Sequence, residues 1–282
     1  MNAPTFSISH KSPPLKLTLT TWNINSVRLR FPQVANFLTK FAPDVLCLQE
    51  TKCRDSDFPS SDFRKVGYEH LAINGQKGYH GVAIVSRLRL DLVQRREFCA
   101  NADARHIAAS IEIAGKKVRI DNFYVPAGGD EPDPAKNPKF AHKLAFLDEM
   151  DNWLNRGEFA NELSVILGDM NIAPFENDVW NHRALLNVVS HTPIETEKLK
   201  HIIADGKWID TLRHFIPLDE KLYTWWSYRS PNWSAANKGR RLDHIWTSLS
   251  MAPYLQSVEI LRDARAWERP SDHVPVTLNL KF

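Results

Sequence analysis

The chain has 282 residues, 43% hydrophobic and 24% charged, a balance that excludes a disordered or fibrous protein and supports a large buried core in one α/β-sized domain. Its formal charge of +3 is too small to demand a nucleic-acid partner and leaves a polyanion open. Cys47, Cys53 and Cys99 are odd in number, which fits reduced thiols in a cytoplasmic setting, and no uninterrupted apolar run reaches the roughly 18 residues of a membrane helix.

Residues 1–16 carry Pro4, Pro13 and Pro14 without an apolar targeting segment and are expected to form a flexible tail, leaving 17–282 as a single domain. Residues 17–24 are rich in Thr and aliphatics and predict a strand, and Val34, Phe37, Leu38 and Phe41 follow at helical spacing. Residues 44–48 and 81–86 predict buried strands, and 105–113 is expected to pair with 117–125 as a hairpin across Ala114 and Gly115. The stretch 127–139 holds Gly128, Gly129, Asp130, Pro132, Asp133, Pro134 and Pro138, a composition that reads as a long loop. Phe140, Leu144, Leu147 and Leu154, flanked by Phe146 and Met150, then predict an amphipathic helix ending near Gly157. A strand over 164–167, a polar stretch, an aromatic run over 223–228, a strand over 242–247 and a terminal strand over 274–280 complete the chain.

Several of these strands end in small polar clusters suited to metal or phosphate: Asn23 and Asn25, Gln49-Glu50, Gly168-Asp169-Met170-Asn171, and Asp243-His244. Strand ends that share one sheet edge converge in space. Glu50 follows a buried apolar strand, where a carboxylate is costly without a cation, and hard oxygen donors of this kind suit Mg²⁺. Asp169 can accept a proton from water while Asn171 donates to charge building on phosphorus, although Gly-Asp-x-Asn is also a common turn signal. Ser271-Asp272-His273 sets an imidazole beside a carboxylate, with Asp243 a second candidate partner. Trp225, Trp226, Tyr228, Arg229 and Trp233 precede Lys238, Arg240 and Arg241, a mixture fit for stacking together with phosphate contact. His191, His201 and His214 have no zinc spacing, and neither a Walker A loop nor a Gly-x-Gly-x-x-Gly turn is present.

Thr21-Trp22-Asn23-Ile24-Asn25-Ser26-Val27-Arg28, Leu48-Gln49-Glu50-Thr51-Lys52, Tyr124-Val125-Pro126, Gly168-Asp169-Met170-Asn171, Arg241-Leu242-Asp243 and Ser271-Asp272-His273, in this order and spacing, resemble the exonuclease III family of abasic endonucleases. The resemblance implies a four-layer α/β sandwich, two mixed β-sheets packed face to face and flanked by helices, with the active site at one edge. It implies a DNA-repair phosphodiesterase that incises duplex DNA 5′ to abasic sites, leaves a 3′ hydroxyl, and also degrades and cleans 3′ ends. The cofactor it implies is Mg²⁺, with Mn²⁺ as an alternative, and the plain expectation is a monomer acting on double-stranded DNA.

Carried over by position, Glu50 becomes the principal metal ligand, with Asn23, Asp169, Asn171, Asp272 and His273 around the metal or its waters. Tyr124 contacts the scissile phosphate, Asp243 orients His273, Asn171 assists the transition state, and either Asp169 or His273 takes the proton. Trp225 matches the aromatic of the pocket for the flipped abasic sugar, and Lys52, Arg240 and Arg241 are expected at DNA. Two positions depart from the pattern: Ala127 stands where relatives carry Asn or Gln, and Arg240 where they carry Trp or Leu. The competing readings are a nonspecific deoxyribonuclease, an inositol-phosphate or sphingomyelin phosphatase, and a catalytically silent DNA-binding protein on the same scaffold.

Overall fold

A computed structural model describes residues 15–155, 159, 162–230 and 232–282. Its first sheet contains β1 (Lys16–Asn23), β2 (Val45–Gln49), β3 (His70–Asn74), β4 (Val82–Ser86), β13 (Leu255–Ile260) and β14 (Val276–Lys281), in the order β13-β14-β1-β2-β4-β3. The second contains β5 (Asp91–Gln94), β6 (His106–Ile113), β7 (Lys116–Tyr124), β8 (Leu163–Asp169), β9 (Ile209–Asp210) and β12 (Asp243–Thr247), in the order β5-β6-β7-β8-β12-β9. A short ribbon, β10 (Trp225–Trp226) with β11 (Gly239–Arg240), lies outside both.

Period-two patterning explains the four layers. Val45 and Cys47 of β2 join Val165 and Leu167 of β8 in the core between the sheets. The alternate residues Leu46 and Leu48 face outward onto Val34, Phe37 and Leu38 of helix Val27–Phe41. On the other side Ile166 and Trp246 meet Phe146, Leu147 and Met150 of helix Pro138–Leu154 and Leu199 and Ile202 of helix Pro193–Asp205. Strands buried on both faces read as continuous apolar runs, which is why these were visible in the sequence.

The structure moves several expected boundaries. β1 starts at Lys16, paired with Lys281, and the remainder of the expected tail, residues 1–14, lies outside the described residues. The long loop ends before Pro138, because Asn137 caps the following helix by accepting from Lys139 N–H. Gly157, the expected end of that helix, is outside the described residues. Phe41 is 40% exposed and stacks on Phe37 instead of entering the core. Among the described residues no helix is long and apolar enough to cross a membrane.

Register places the polar strand ends together. β1 runs parallel to β2 with Asn23 opposite Gln49, and β7 runs parallel to β8 with Tyr124 opposite Asp169. β12 enters antiparallel beside β8, setting Asp243 opposite Asp169. β14 runs antiparallel to β1, so the segment ahead of it, Asp272 and His273, arrives at the same edge. Beneath them a buried polar bridge joins the sheets: Gln49 Nε2 donates to Thr21 Oγ1 at 2.9 Å and to Asn122 Oδ1 at 2.7 Å.

Candidate active site

The strand ends carry unusual backbone. Asn25, Ser26, Glu50, Lys52 and Asn171 all have positive φ, a conformation that costs free energy in non-glycine residues and collects at functional sites. Gly168 makes a closer approach: a Cβ there would lie 2.0 Å from Phe123 O, so only glycine lets β8 lie against β7 and bring Asp169 beside Tyr124.

Asn23 is fully buried and straps two carboxylates together, its Nδ2 donating to Glu50 Oε1 at 2.9 Å and to Asp169 Oδ2 at 2.8 Å. Its Oδ1 accepts from Asn25 N–H at 3.0 Å. Asp169 also accepts from Asn171, through the backbone N–H at 2.9 Å and Nδ2 at 3.2 Å. Asp272 accepts from Asn25 Nδ2 at 3.1 Å and from Trp225 Nε1 at 2.9 Å. The expected metal and phosphate residues are therefore one connected cluster, with Glu50, Tyr124, Asn171, Asp272 and His273 lining a cleft of about 800 Å³.

His273 reaches this wall from within, with Nδ1 2.8 Å from Asp243 Oδ2 and Nε2 3.7 Å from Asp169 Oδ2. Asp243 Oδ2 also accepts from Thr224 Oγ1 at 2.6 Å, so the carboxylate is held from two directions. Asp169, Asp243 and His273 offer ligand atoms within 4.8 Å of one another. We read that triad as an imidazole held by a carboxylate and not as a metal cage, because the Asp243 oxygen that faces the imidazole, Oδ2, is already committed to His273 and Thr224.

Burial opposes charge on His273, but Asp243, Asp169 and Asp272 outweigh it and raise its pKa to about 10. Burial, joined by Asp243 and Glu50, raises Asp169 to about 7 against the pull of His273 and Asn23. Burial also works against ionised Glu50, yet Lys52, Asn23 and His273 leave it below the usual carboxylate range. The Tyr124 phenol is pushed up by burial and by Glu50 and Asp169, so it stays a proton donor. The donor set of Glu50, Asp169 and Asp272 carboxylates is hard and anionic and fits a hard divalent cation, while Asn23, whose Nδ2 faces Glu50 and Asp169, serves as the strap that holds two of them.

One expected DNA contact requires correction. Arg241 is fully buried, its Nη1 2.8 Å from Asp210 Oδ2 and its Nη2 3.0 Å from Asp178 Oδ2, because its alternation on the strand entering β12 turns it into the protein. Lys52, its side chain 29% exposed, stands at the same edge, 2.7 Å from Glu50 Oε2 and 2.6 Å from Asn25 Oδ1. Trp225 and Arg240 do line the cleft, joined there by Trp180, Val189 and Leu242.

Sequence reasoning missed the support of this wall. Lys143 is buried in an ion pair with Glu195 and donates to Asn171 O at 2.9 Å and Ala127 O at 3.3 Å. Its signal was available: Lys143 falls between Phe140 and Leu144 on the apolar stripe of its helix, where an unpaired charge would not persist. Thr224 gave no such signal.

The sequence profile of the Endonuclease/Exonuclease/phosphatase family matches residues 20–273 of this chain. The chain belongs to that family. Within it, the chain is 32% identical over 269 residues to exodeoxyribonuclease III of Haemophilus influenzae, covering 93% of this chain and 98% of that one. An AP endonuclease from Archaeoglobus fulgidus superposes with a TM-score of 0.85 at 32% identity, covering 93% of this chain and 98% of that chain. A point variant of the 3′ phosphatase NExo from Neisseria, solved bound to a product DNA hairpin, superposes with a TM-score of 0.86 at 33% identity, covering 94% of this chain and 100% of that chain. The four-layer architecture seen here is thus the fold of these family members.

Proposed function

We propose that this family member is a DNA-repair phosphodiesterase that cuts duplex DNA on the 5′ side of abasic sites, leaves a 3′ hydroxyl, and also trims and cleans 3′ ends. The observation that carries the reading is the convergence of Glu50, Asp169, Asn171, Asp272 and His273 at one edge of two sheets, beside a wall that offers Trp225 and Leu242 to a sugar lacking its base. The free thiols Cys47, Cys53 and Cys99 support a cytoplasmic setting, and the enzyme acts as a monomer in this reading.

Glu50 and Asp272 would hold a divalent cation, Mg²⁺ with Mn²⁺ as an alternative, with Asn23 beside it positioning Glu50. When bound, that cation supplies positive charge to the phosphate and to the leaving 3′ oxygen. The protein's own groups do the rest. Tyr124 and protonated His273 donate to phosphate oxygens, and Asp243 fixes the imidazole by holding its Nδ1–H. Asp169, raised by burial toward neutrality, accepts the proton of the attacking water. Asn171 holds Asp169 at the strand end and faces the same cleft.

The test is incision of end-labelled duplex carrying one stable abasic analogue, with Mg²⁺ or with EDTA, beside intact duplex and the Asp169→Asn variant. The expected result is metal-dependent cleavage 5′ to the lesion, reduced by about 10²-fold or more in Asp169→Asn. Degradation of intact 3′ ends with the lesion left uncut would retain the chemistry and remove the abasic pocket; cleavage of neither DNA would favour the phosphatase readings.

A further inference from the structure

One ring, Trp225, separates the reactive edge of the cleft from a cation. Its Nε1 is bonded to Asp272, and over its face lies Arg240, with Cζ 5.3 Å from the ring centroid. The two residues are also direct partners in the β10–β11 ribbon.

Arg240 is anchored on one side only. Its Nη1 donates to Val189 O at 3.1 Å and to Ser190 Oγ at 2.7 Å, and among the described residues those neutral oxygens are its hydrogen-bond partners. Ser190 is itself fixed, because its backbone N–H donates to both oxygens of Glu195, at 3.1 Å and 3.0 Å. Glu195 pairs with buried Lys143, and Lys143 holds Asn171 O. One buried network therefore sets the position of Asn171 at the reactive edge and of Arg240 beyond Trp225.

The neighbouring Arg241 shows what a charge fixed for structure looks like: it is fully buried and paired with two carboxylates. Arg240 has the opposite character, a preorganised guanidinium that lines the cleft and touches no carboxylate among the described residues. Burial works against its charge, and Glu195, already paired with Lys143, opposes that only from a distance. A cation partly removed from water without a contacting counter-charge is stabilised when an anion enters, and the planar guanidinium suits phosphate.

We propose that Arg240 seats a second substrate phosphate, the phosphodiester on the 3′ side of the nucleotide whose 5′ phosphate is cut. The proposal rests on the reading above, in which Trp225 borders the extruded sugar. From that sugar the chain continues 3′ to its next phosphate, past the ring and toward Arg240. An internal nucleotide has a phosphate on both sides, whereas a 3′-terminal nucleotide with a free hydroxyl has one. Arg240 is therefore a specificity residue that favours internal lesions over removal of terminal nucleotides.

The experiment is a chemical double-mutant cycle on duplex DNA with an internal abasic analogue, comparing a natural phosphodiester with a neutral methylphosphonate at the linkage 3′ to the lesion. kcat/KM for incision is measured for the wild type, Arg240→Gln and Arg240→Lys, with folding checked by thermal melting. In the wild type, neutralising that linkage is expected to lower kcat/KM by about tenfold or more, the range of a charged hydrogen bond. Arg240→Gln is expected to lose a similar factor on the natural linkage and little more on the neutral one, while Arg240→Lys recovers part of the loss. The ratio of internal incision to 3′-terminal nucleotide removal falls in Arg240→Gln. If the two losses simply multiply, or if the wild type is indifferent to the methylphosphonate, Arg240 does not touch that phosphate and the proposal is overturned. A wild type that fails to cut the natural substrate would instead overturn the parent reading.

Discussion

Asp243 does not line the cleft, yet the behaviour of His273 depends on it. The carboxylate accepts from Thr224 Oγ1 and faces His273 Nδ1, which fixes the tautomer and presents Nε2 toward Asp169. Asp243→Asn preserves the shape and removes the charge that stabilises imidazolium. We expect kcat to fall by about 10²–10⁴-fold with little change in KM or in the thermal midpoint. Steady-state incision assays alongside thermal melts check this; a KM effect with kcat intact would place His273 in substrate binding alone. Asn23, Glu50, Asp169, Asp272 and His273 were legible in the sequence because each is a polar residue ending or preceding an apolar strand. Thr224, Ser190 and Glu195 were not, because they act through contacts with residues distant in the chain, and no local pattern encodes a partner.

The strands that carry the site differ in how plainly the sequence announces them. β2, β4 and β8 are buried on both faces and read as apolar runs, and β6 and β7 are joined by the turn signal Ala114-Gly115. β3, β5 and β13 are sheet edges with half-exposed, mixed side chains, so neither a run nor a clean alternation marks them. Helix Pro193–Asp205 was hidden for a similar reason: its buried positions include Glu195 and Thr196, which a search for an apolar stripe passes over. Within β8, Gly168 is where the element scale bears on chemistry. Gly168→Ala forces a Cβ against Phe123 O and breaks the parallel pairing that sets Asp169 opposite Tyr124. The expected cost is about 3 kcal/mol or more of stability, with loss of incision. Urea unfolding and the abasic assay measure both, and a variant of unchanged stability would show that the β7–β8 spacing is not set by this residue.

Across the whole molecule, buried titratable groups outside the cleft tie stability to pH. His244 is fully buried and donates its Nε2–H to Ile172 O; burial and Arg241 lower its pKa from 6.5 to about 3. The unfolded chain therefore binds a proton that the folded chain refuses between those values, and stability falls as pH drops below 6.5. Asp121 acts with the same sign. Burial opposes its charge, but His106 and Arg119 outweigh it, so its pKa is depressed and its contribution disappears as pH falls through the folded value. The stability gap between wild type and His244→Gln is expected to narrow by about 1.4 kcal/mol per pH unit below the ordinary histidine range. Urea midpoints from pH 7.5 to about 4.5 test it, and a gap independent of pH would mean that His244 is not held neutral.

The register that gathers the site has one more effect, on when catalysis can begin. Asn23 and Asp169 are 146 residues apart and Asn25 and Asp272 are 247 apart, so the bonds among them cross from one sheet to the other and from one end of the domain to the other. No contiguous part of the chain shorter than residues 23–273 contains the constellation. A nascent chain lacks His273 until the strands that carry the other site residues have all been made, and a refolding chain regains helix and hairpin signals, which rest on local contacts, before it regains incision. A nuclease assembled in this way is silent in every unfinished form, and the recovery of cutting marks the completed docking of its two sheets.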